Sequence, residues 1–456
     1  MSNRTLSRRQ FLVGSLTLTG AVALAACVPA APPAAAPAAG GEAAPAAAAA
    51  AATTAPSTEP IQLVFHSRLG THADWHQSRV ALFEEQHPGL KLTVDQLDSN
   101  DMYVKVYAMS AAGTVGDVVW TYLNNPPEHK ARGVMIPLDD IVAAKDYDTS
   151  QFWESLLAAL TLEGQLHAIP NHGHYGTTAY YHNKTLLEKA GIAPLTPEWT
   201  TDDLVAAAMA VTAAPEVWGV RTSGGGQEHI PSYLRIFGGD VLNEDGTKCL
   251  LDQPESIAAL RWLHDLQHTH KADPCQCGDQ MTENFVAGTV GIFNTTTGLV
   301  GTYTKQAKAG ELPFEWDVVV GPVGPSGLRG SQVSSGSFCI TGNSKHTSEA
   351  FEILDFYCSK EDGIQHVIFG AGSPGGRKDV WESDELNAIN PIFRQHQTIY
   401  PDGPRKWHRP ANSRTSEFVD TLNNNLQAIW TNAVDFDAGV ELTYSLVQEV
   451  LDKDAL

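Results

Sequence analysis

From Ile61 onward, short apolar runs alternate with longer stretches in which apolar residues recur at helical spacing. "IQLVFHS" (61–67) reads as a strand. "ADWHQSRVALFEEQHPG" reads as a helix with Trp75, Val80, Leu82 and Phe83 on one broad face and His87-Pro88-Gly89 as its stop. A second strand follows, and "GDVVWTYLNN" (116–125) reads as a third, whose C-terminal end carries Trp120, Tyr122 and Asn124. The run from Tyr175 to Tyr181 reads as an extended segment feeding a helix from Lys184 to Ala190, with Asn183 and Lys184 as its cap. Thr201, followed by two acids, reads as the N-cap of the next helix. Further on, "PESIAALRWLHDLQHTH" is an amphipathic helix and "TENFVAGTVGIFNTTTG" is helix, turn and strand with a polar end at Asn294 to Thr297. "FEWDVVV" and "SSGSFCI" are strands, and the last eighty residues are mostly helical. Strands alternating with helices predict an α/β layer arrangement, in which ligands meet the carboxyl ends of strands.

The chain before Ile61 follows no such pattern. Three arginines precede an apolar stretch from Phe11 to Cys27 that is too short for a comfortable membrane span and contains glycines and threonines. "SRRQFL" resembles a twin-arginine export signal, and "LAAC" resembles a lipobox cut before an acylated Cys27. Residues 1–26 are therefore expected to be a signal peptide. Residues 27–60, almost entirely Ala, Pro, Gly and Thr after the cysteine, are expected to be a tether. The formal charge of −22 becomes −25 without the signal, 27 bases standing against 52 acids. A body so acidic, with no long basic run, excludes nucleic acid as a partner. The length beyond the tether exceeds one core, so two domains are expected.

Candidate chemistry gathers in "IPNHGHYGTTAYYHNK" (169–184), which packs three histidines and three tyrosines without a carboxylate. Asn171, His172, His174, Tyr175, Tyr180 and Tyr181 suit a polyol, offering aromatic faces to C–H surfaces and polar groups to hydroxyls, with Gly173 and Gly176 allowing close approach. The plainer reading makes Tyr180 and Tyr181 core or hinge residues and His182 a surface residue. No G-x-S-x-G elbow or H-E-x-x-H helix is present, and no acid pair sits among aromatic strand ends, so catalysis is not expected. "TSGGG" (222–226) lacks the Lys-Ser/Thr of a P-loop, and Gly225 offers only backbone N–H groups. In "HDLQHTHKADPCQC", His264 and His268 share a helical face, and with Cys275 and Cys277 they admit a tetrahedral metal site. The exterior equally admits a disulfide from Cys249 to Cys275 or Cys277. No cofactor is expected.

The order of "GVMIPLDDI", "GQLHAIP", "AYYHNKTLLEKAGI", "WTTDDLVAAA", "FVAGTVGIFNTTTG", "WDVVVGPVGPSG" and "ITGNSKHTSEAFEILDFYCSKEDGIQ" with "GSPG" resembles extracellular solute-binding proteins of family 1. These are the maltose-binding-protein-like lipoproteins of ABC-type sugar importers. The resemblance implies a type II-like periplasmic-binding-protein fold of two α/β lobes joined by hinge crossings. One lobe would comprise 61–175 with 331–375, the other 176–330 with 376–456. It also places Arg68, Trp120, Tyr175, Asn294 and Ser335 against the ligand. His72, Asn124, Asn171, His174, Gly225, Thr295, Ser337, Arg377 and Trp407 complete the candidate set. His72, His172 and His174 stand where sugar binders carry acids. The implied ligand is a neutral carbohydrate, with an anionic or phosphorylated polyol held by Arg68, Arg377 and protonated histidines as the alternative. The implied setting is a monomer lipid-anchored at the outer face of the cytoplasmic membrane, serving importer permease subunits.

Overall fold

Strand β1 (Ile61–Arg68) buries Leu63 and Phe65 at alternate positions, the two-residue period that commits one face of a strand to a core. The computed structural model describes residues 59–98, 101–123, 125–213, 215–222, 229–274 and 281–455. Within it β1 lies parallel to both β2 (Leu90–Leu97) and β3 (Val118–Tyr122). The short strands β4 (Thr161–Leu162) and β5 (Gln165–Leu166) form a hairpin that leads to β6 (Ile169–His174). The chain then enters a second sheet made of β7 (Ala179–Asn183), β8 (Trp218–Arg221), β9 (Val290–Thr295) and β10 (Trp316–Val320), in the order β10-β7-β9-β8. It returns through β11 (Ser334–Ile340), which fits between β3 and β6 and completes a first sheet ordered β2-β1-β3-β11-β6. Two mixed sheets, each flanked by helices, form the two lobes of a periplasmic-binding-protein fold joined by chain crossings.

β3 and β11 are buried at nearly every position and read as continuous apolar or small runs, as strands buried on both sides do. Helix Thr71–Gln86 packs on β1 and β2, and helix Thr347–Tyr357 packs on β11. Helix Thr201–Val211 is capped by Thr200, one residue earlier than its sequence suggests. Thr200 is extended, and its hydroxyl accepts from the Asp203 N–H while Asp203 accepts from the Thr200 N–H. His182 is not at the surface. It is buried in β7, between the neighbouring strands β10 and β9.

A helix that follows β9 of the second sheet meets a helix that follows β11 of the first. Gly301, in helix Val300–Ala309, lies so close to the Val367 carbonyl of helix Lys360–Phe369 that a Cβ would collide with it. Beside that contact Thr297 donates to Ser373 Oγ at 3.4 Å, and Lys305 Nζ donates to the Phe369 carbonyl at 2.9 Å. Helices Thr415–Trp430 and Phe436–Leu451 pair with each other and meet helix Pro254–His268 through Gln267, which donates to the Trp430 carbonyl, and Arg261, which pairs with Asp437. There His264 and His268 are taken up by helix packing. Asn432 accepts from His264 Nε2 and donates to His268 Nδ1, each at 2.9 Å, while His268 Nε2 donates to the Trp430 carbonyl. Cys249 is a free thiol, and its expected bridge partners Cys275 and Cys277 are not among the described residues. It is buried beside Leu242 with its N–H donated to Gln448 Oε1 at 2.9 Å, and burial pushes its pKa to about 12. Cys339 and Cys358 are also free and buried. Cys27, Cys275 and Cys277 lie outside the described residues.

Candidate functional site

Strand register fixes which residues meet at the crossings. In the first sheet His174 pairs with Ser334 and Tyr122 with Gly336, so the C-terminal ends of β1, β3 and β6 and the start of β11 share one edge. In the second sheet Thr295 and Val320 both pair with Ala179, so the ends of β9 and β10 meet the start of β7. Only residues 175–178 separate His174 from Ala179, which sets the two edges opposite each other. The half-buried rim they form includes Arg68, His72, Tyr122, His174, Ser334 and Thr295.

Trp120 forms the floor of the first edge. It is fully buried, with the Arg68 guanidinium 5.8 Å from its ring and His172 stacked on it at 5.8 Å. Arg68 also lies 5.3 Å from the Tyr122 ring, which meets Trp120 edge-on at 4.4 Å. Glycine at 336 is required here, because a Cβ would collide with His172 and with Trp120 Nε1. His72 stacks on His172 at 4.4 Å, and His366 lies 5.7 Å from each of them. Burial lowers the pKa of all these rings. His72 and His174 are held at about 3 and His366 at about 4, while His172 is held well below the usual range. At neutral pH this edge therefore presents uncharged imidazoles.

The other sequence candidates divide between rim and scaffold. Asn171 lies beneath the rim, donating to the Tyr357 carbonyl at 2.8 Å and accepting from His172 Nδ1 at 2.9 Å. His174 Nδ1 accepts from the Gly176 N–H at 3.0 Å, which tightens the turn into the crossing. Tyr175 is boxed by Trp153, Trp381, His396 and Tyr400, with ring centroids at 4.8 to 5.3 Å. The Asn294 amide donates to the Thr177 and Ala179 carbonyls and accepts from Tyr233, stitching the end of β9 to the crossing. Ser335 Oγ donates to the Gly336 carbonyl at 2.6 Å, and Ser337 Oγ is buried without a partner. Arg377 is turned from the rim, forked onto Asp379 and lying over Phe152. Trp407 lines a cavity of about 750 Å³ whose walls come from both sides of the molecule, among them Pro127, Lys130, Glu163, Asp245 and Arg409. Asn124 and Gly225 lie outside the described residues. His366 is the one of these residues that the sequence pattern gave no reason to single out. The "HVIFGAGSPGG" stretch looks like an ordinary helix end, and only its "GSPG" turn drew notice.

The profile of the bacterial extracellular solute-binding proteins matches residues 78–391, and the chain belongs to that family. Among relatives, a binding protein of Brucella abortus (strain 2308) is 26% identical over 378 residues, covering 81% of this chain and 88% of its own. An ABC substrate-binding protein of Listeria monocytogenes, solved with cycloalternan, superposes with a TM-score of 0.73 at 18% identity, covering 86% of this chain and 99% of that one. A maltose-bound protein of T. maritima superposes at 0.72 with 22% identity, covering 85% and 99%. Among the described residues, no helix is long and apolar enough to cross a membrane.

Proposed function

We propose that this protein captures a neutral carbohydrate between its lobes and delivers it to the permease subunits of an ABC-type importer. The observation that carries this reading is the charge state of the rim. Its histidines are held uncharged by burial, Tyr122 supplies aromatic surface over the buried Trp120, Ser334 and Thr295 supply hydroxyls, and Arg68 is the single cation among the rim residues named above. An anionic polyol would need protonated histidines or Arg377, and Arg377 is committed to Asp379. Solved relatives of this fold carrying cycloalternan and maltose support the same class of solute.

In this reading Cys27 carries the lipid, residues 28–60 are the leash, and the monomeric body works outside the cytoplasmic membrane. The lobes, 61–175 with 331–375 and 176–330 with 376–456, close by bending in the crossings. Calorimetric titration of a sugar and sugar-phosphate library at two salt concentrations and two pH values tests the proposal. A neutral sugar is expected to bind with little dependence on salt, or on pH between about 6 and 8. Binding confined to phosphorylated or acidic polyols, weakening with salt, would overturn it.

A further inference from the structure

Three histidines from separate elements converge at the edge of the first sheet. His72 is in the first turn of helix Thr71–Gln86, His172 is in β6, and His366 is in helix Lys360–Phe369. Their ligand nitrogens all lie within 4.8 Å of one another. Two of the rings are oriented from behind. His172 Nδ1 donates to Asn171 Oδ1, whose own orientation is fixed because the Asn171 amide nitrogen donates to the Tyr357 carbonyl. His366 Nδ1 donates to the Ser373 carbonyl at 3.1 Å. Each bond leaves Nε2 as the nitrogen with the free lone pair, the arrangement found behind metal-ligating histidines. His366 Nε2 and His72 Nδ1 are buried without a hydrogen-bond partner.

We propose that His72, His172 and His366 form a binding site for one divalent late transition-metal ion, with the chemistry of Zn²⁺. Three neutral imidazoles without a carboxylate favour such an ion over Mg²⁺ or Ca²⁺, which take oxygen ligands. Three protein ligands also leave a fourth position open to water or solute. Nitrogens around a tetrahedral Zn²⁺ are about 3.4 Å apart at the usual bond length, so the rings must draw together by up to about 1.4 Å and leave their near-parallel stack. His72, half-buried in the first turn of its helix with Nδ1 unbonded, is the ring best placed to turn.

The test uses the full chain, stripped with a chelator and titrated with Zn²⁺ by calorimetry and thermal denaturation, with Mg²⁺ as control. One tight Zn²⁺ per chain and a rise in Tm are expected, and no response to Mg²⁺. His72→Ala is expected to weaken Zn²⁺ binding at least about 10-fold, and His366→Gln to do the same. His264→Ala combined with Cys277→Ser, which alters the other histidine–cysteine group, is expected to leave binding unchanged. Equal affinity in wild type and His72→Ala, or loss only in the His264/Cys277 variant, would overturn the proposal. The wild-type chain loaded with Co²⁺ gives a readout that needs no variant to fold. Intense visible d–d bands are expected from tetrahedral nitrogen ligation, and their absence would count against the site.

Discussion

Tyr175 occupies the position where the chain leaves the first sheet, and its ring is enclosed by four aromatic neighbours while its hydroxyl has no partner. The ring therefore acts as a packing element of the hinge. Tyr175→Ala is expected to cost about 3–5 kcal/mol of stability. Tyr175→Phe, which removes only the orphan hydroxyl, should cost less than about 1 kcal/mol; urea unfolding of the two variants compares them. Asp362 poses a different residue-scale question. It is buried, accepts from Trp75 Nε1 at 3.0 Å and pairs with Arg79 at 3.3 Å, yet burial raises its pKa to about 7. A carboxyl raised in the folded state holds a proton that the unfolded chain has released. Its contribution is therefore complete below the unfolded value, about 4, and is lost as pH rises towards 7. Stability should fall by about 1 kcal/mol per pH unit between pH 5 and 7 relative to Asp362→Asn, and denaturation curves across that range check it. The aromatic character of 169–184 was legible in the sequence. The division of its residues between rim and box was not, because that depends on Trp153, Trp381 and Tyr400, which are distant in the chain.

At the scale of elements, the two-residue alternation of β1 and the capping chemistry at Asn183 were readable because both are set by near neighbours. Asn183 does accept from the Leu186 N–H at 3.0 Å, as its place before Lys184 suggests. Thr200 took the cap expected of Thr201 because the reciprocal bond with Asp203 exists only at that spacing. The histidine cluster needed three elements brought together by sheet order, and no local periodicity announces His366 beside His72. Contact between lobes likewise depends on a residue that looks unremarkable in sequence. Gly301 lets helix Val300–Ala309 meet helix Lys360–Phe369 at backbone distance. Gly301→Val is expected to wedge the lobes apart and to weaken solute binding by at least about 10-fold while leaving each lobe folded, since overpacking costs about 1–3 kcal/mol. Calorimetry paired with circular dichroism would show lost affinity with secondary structure retained.

For the whole molecule, the family and fold make two lobes that move about chain crossings the expected mechanical unit. The crossings at 175–178 and 321–333 are tied down rather than loose. Asn294 grips the first, and Arg235, held by Asp240, donates to the Ser331 carbonyl in the second. Anchors of this kind confine bending to a few backbone dihedrals and let the lobes move as bodies. Capture of solute by closure of one lobe on the other is read out by small-angle scattering of the purified protein without and with a saturating sugar. Closure predicts that the radius of gyration falls when sugar is bound and that Gly301→Val blunts the change. An unchanged radius at proven saturation would contradict it.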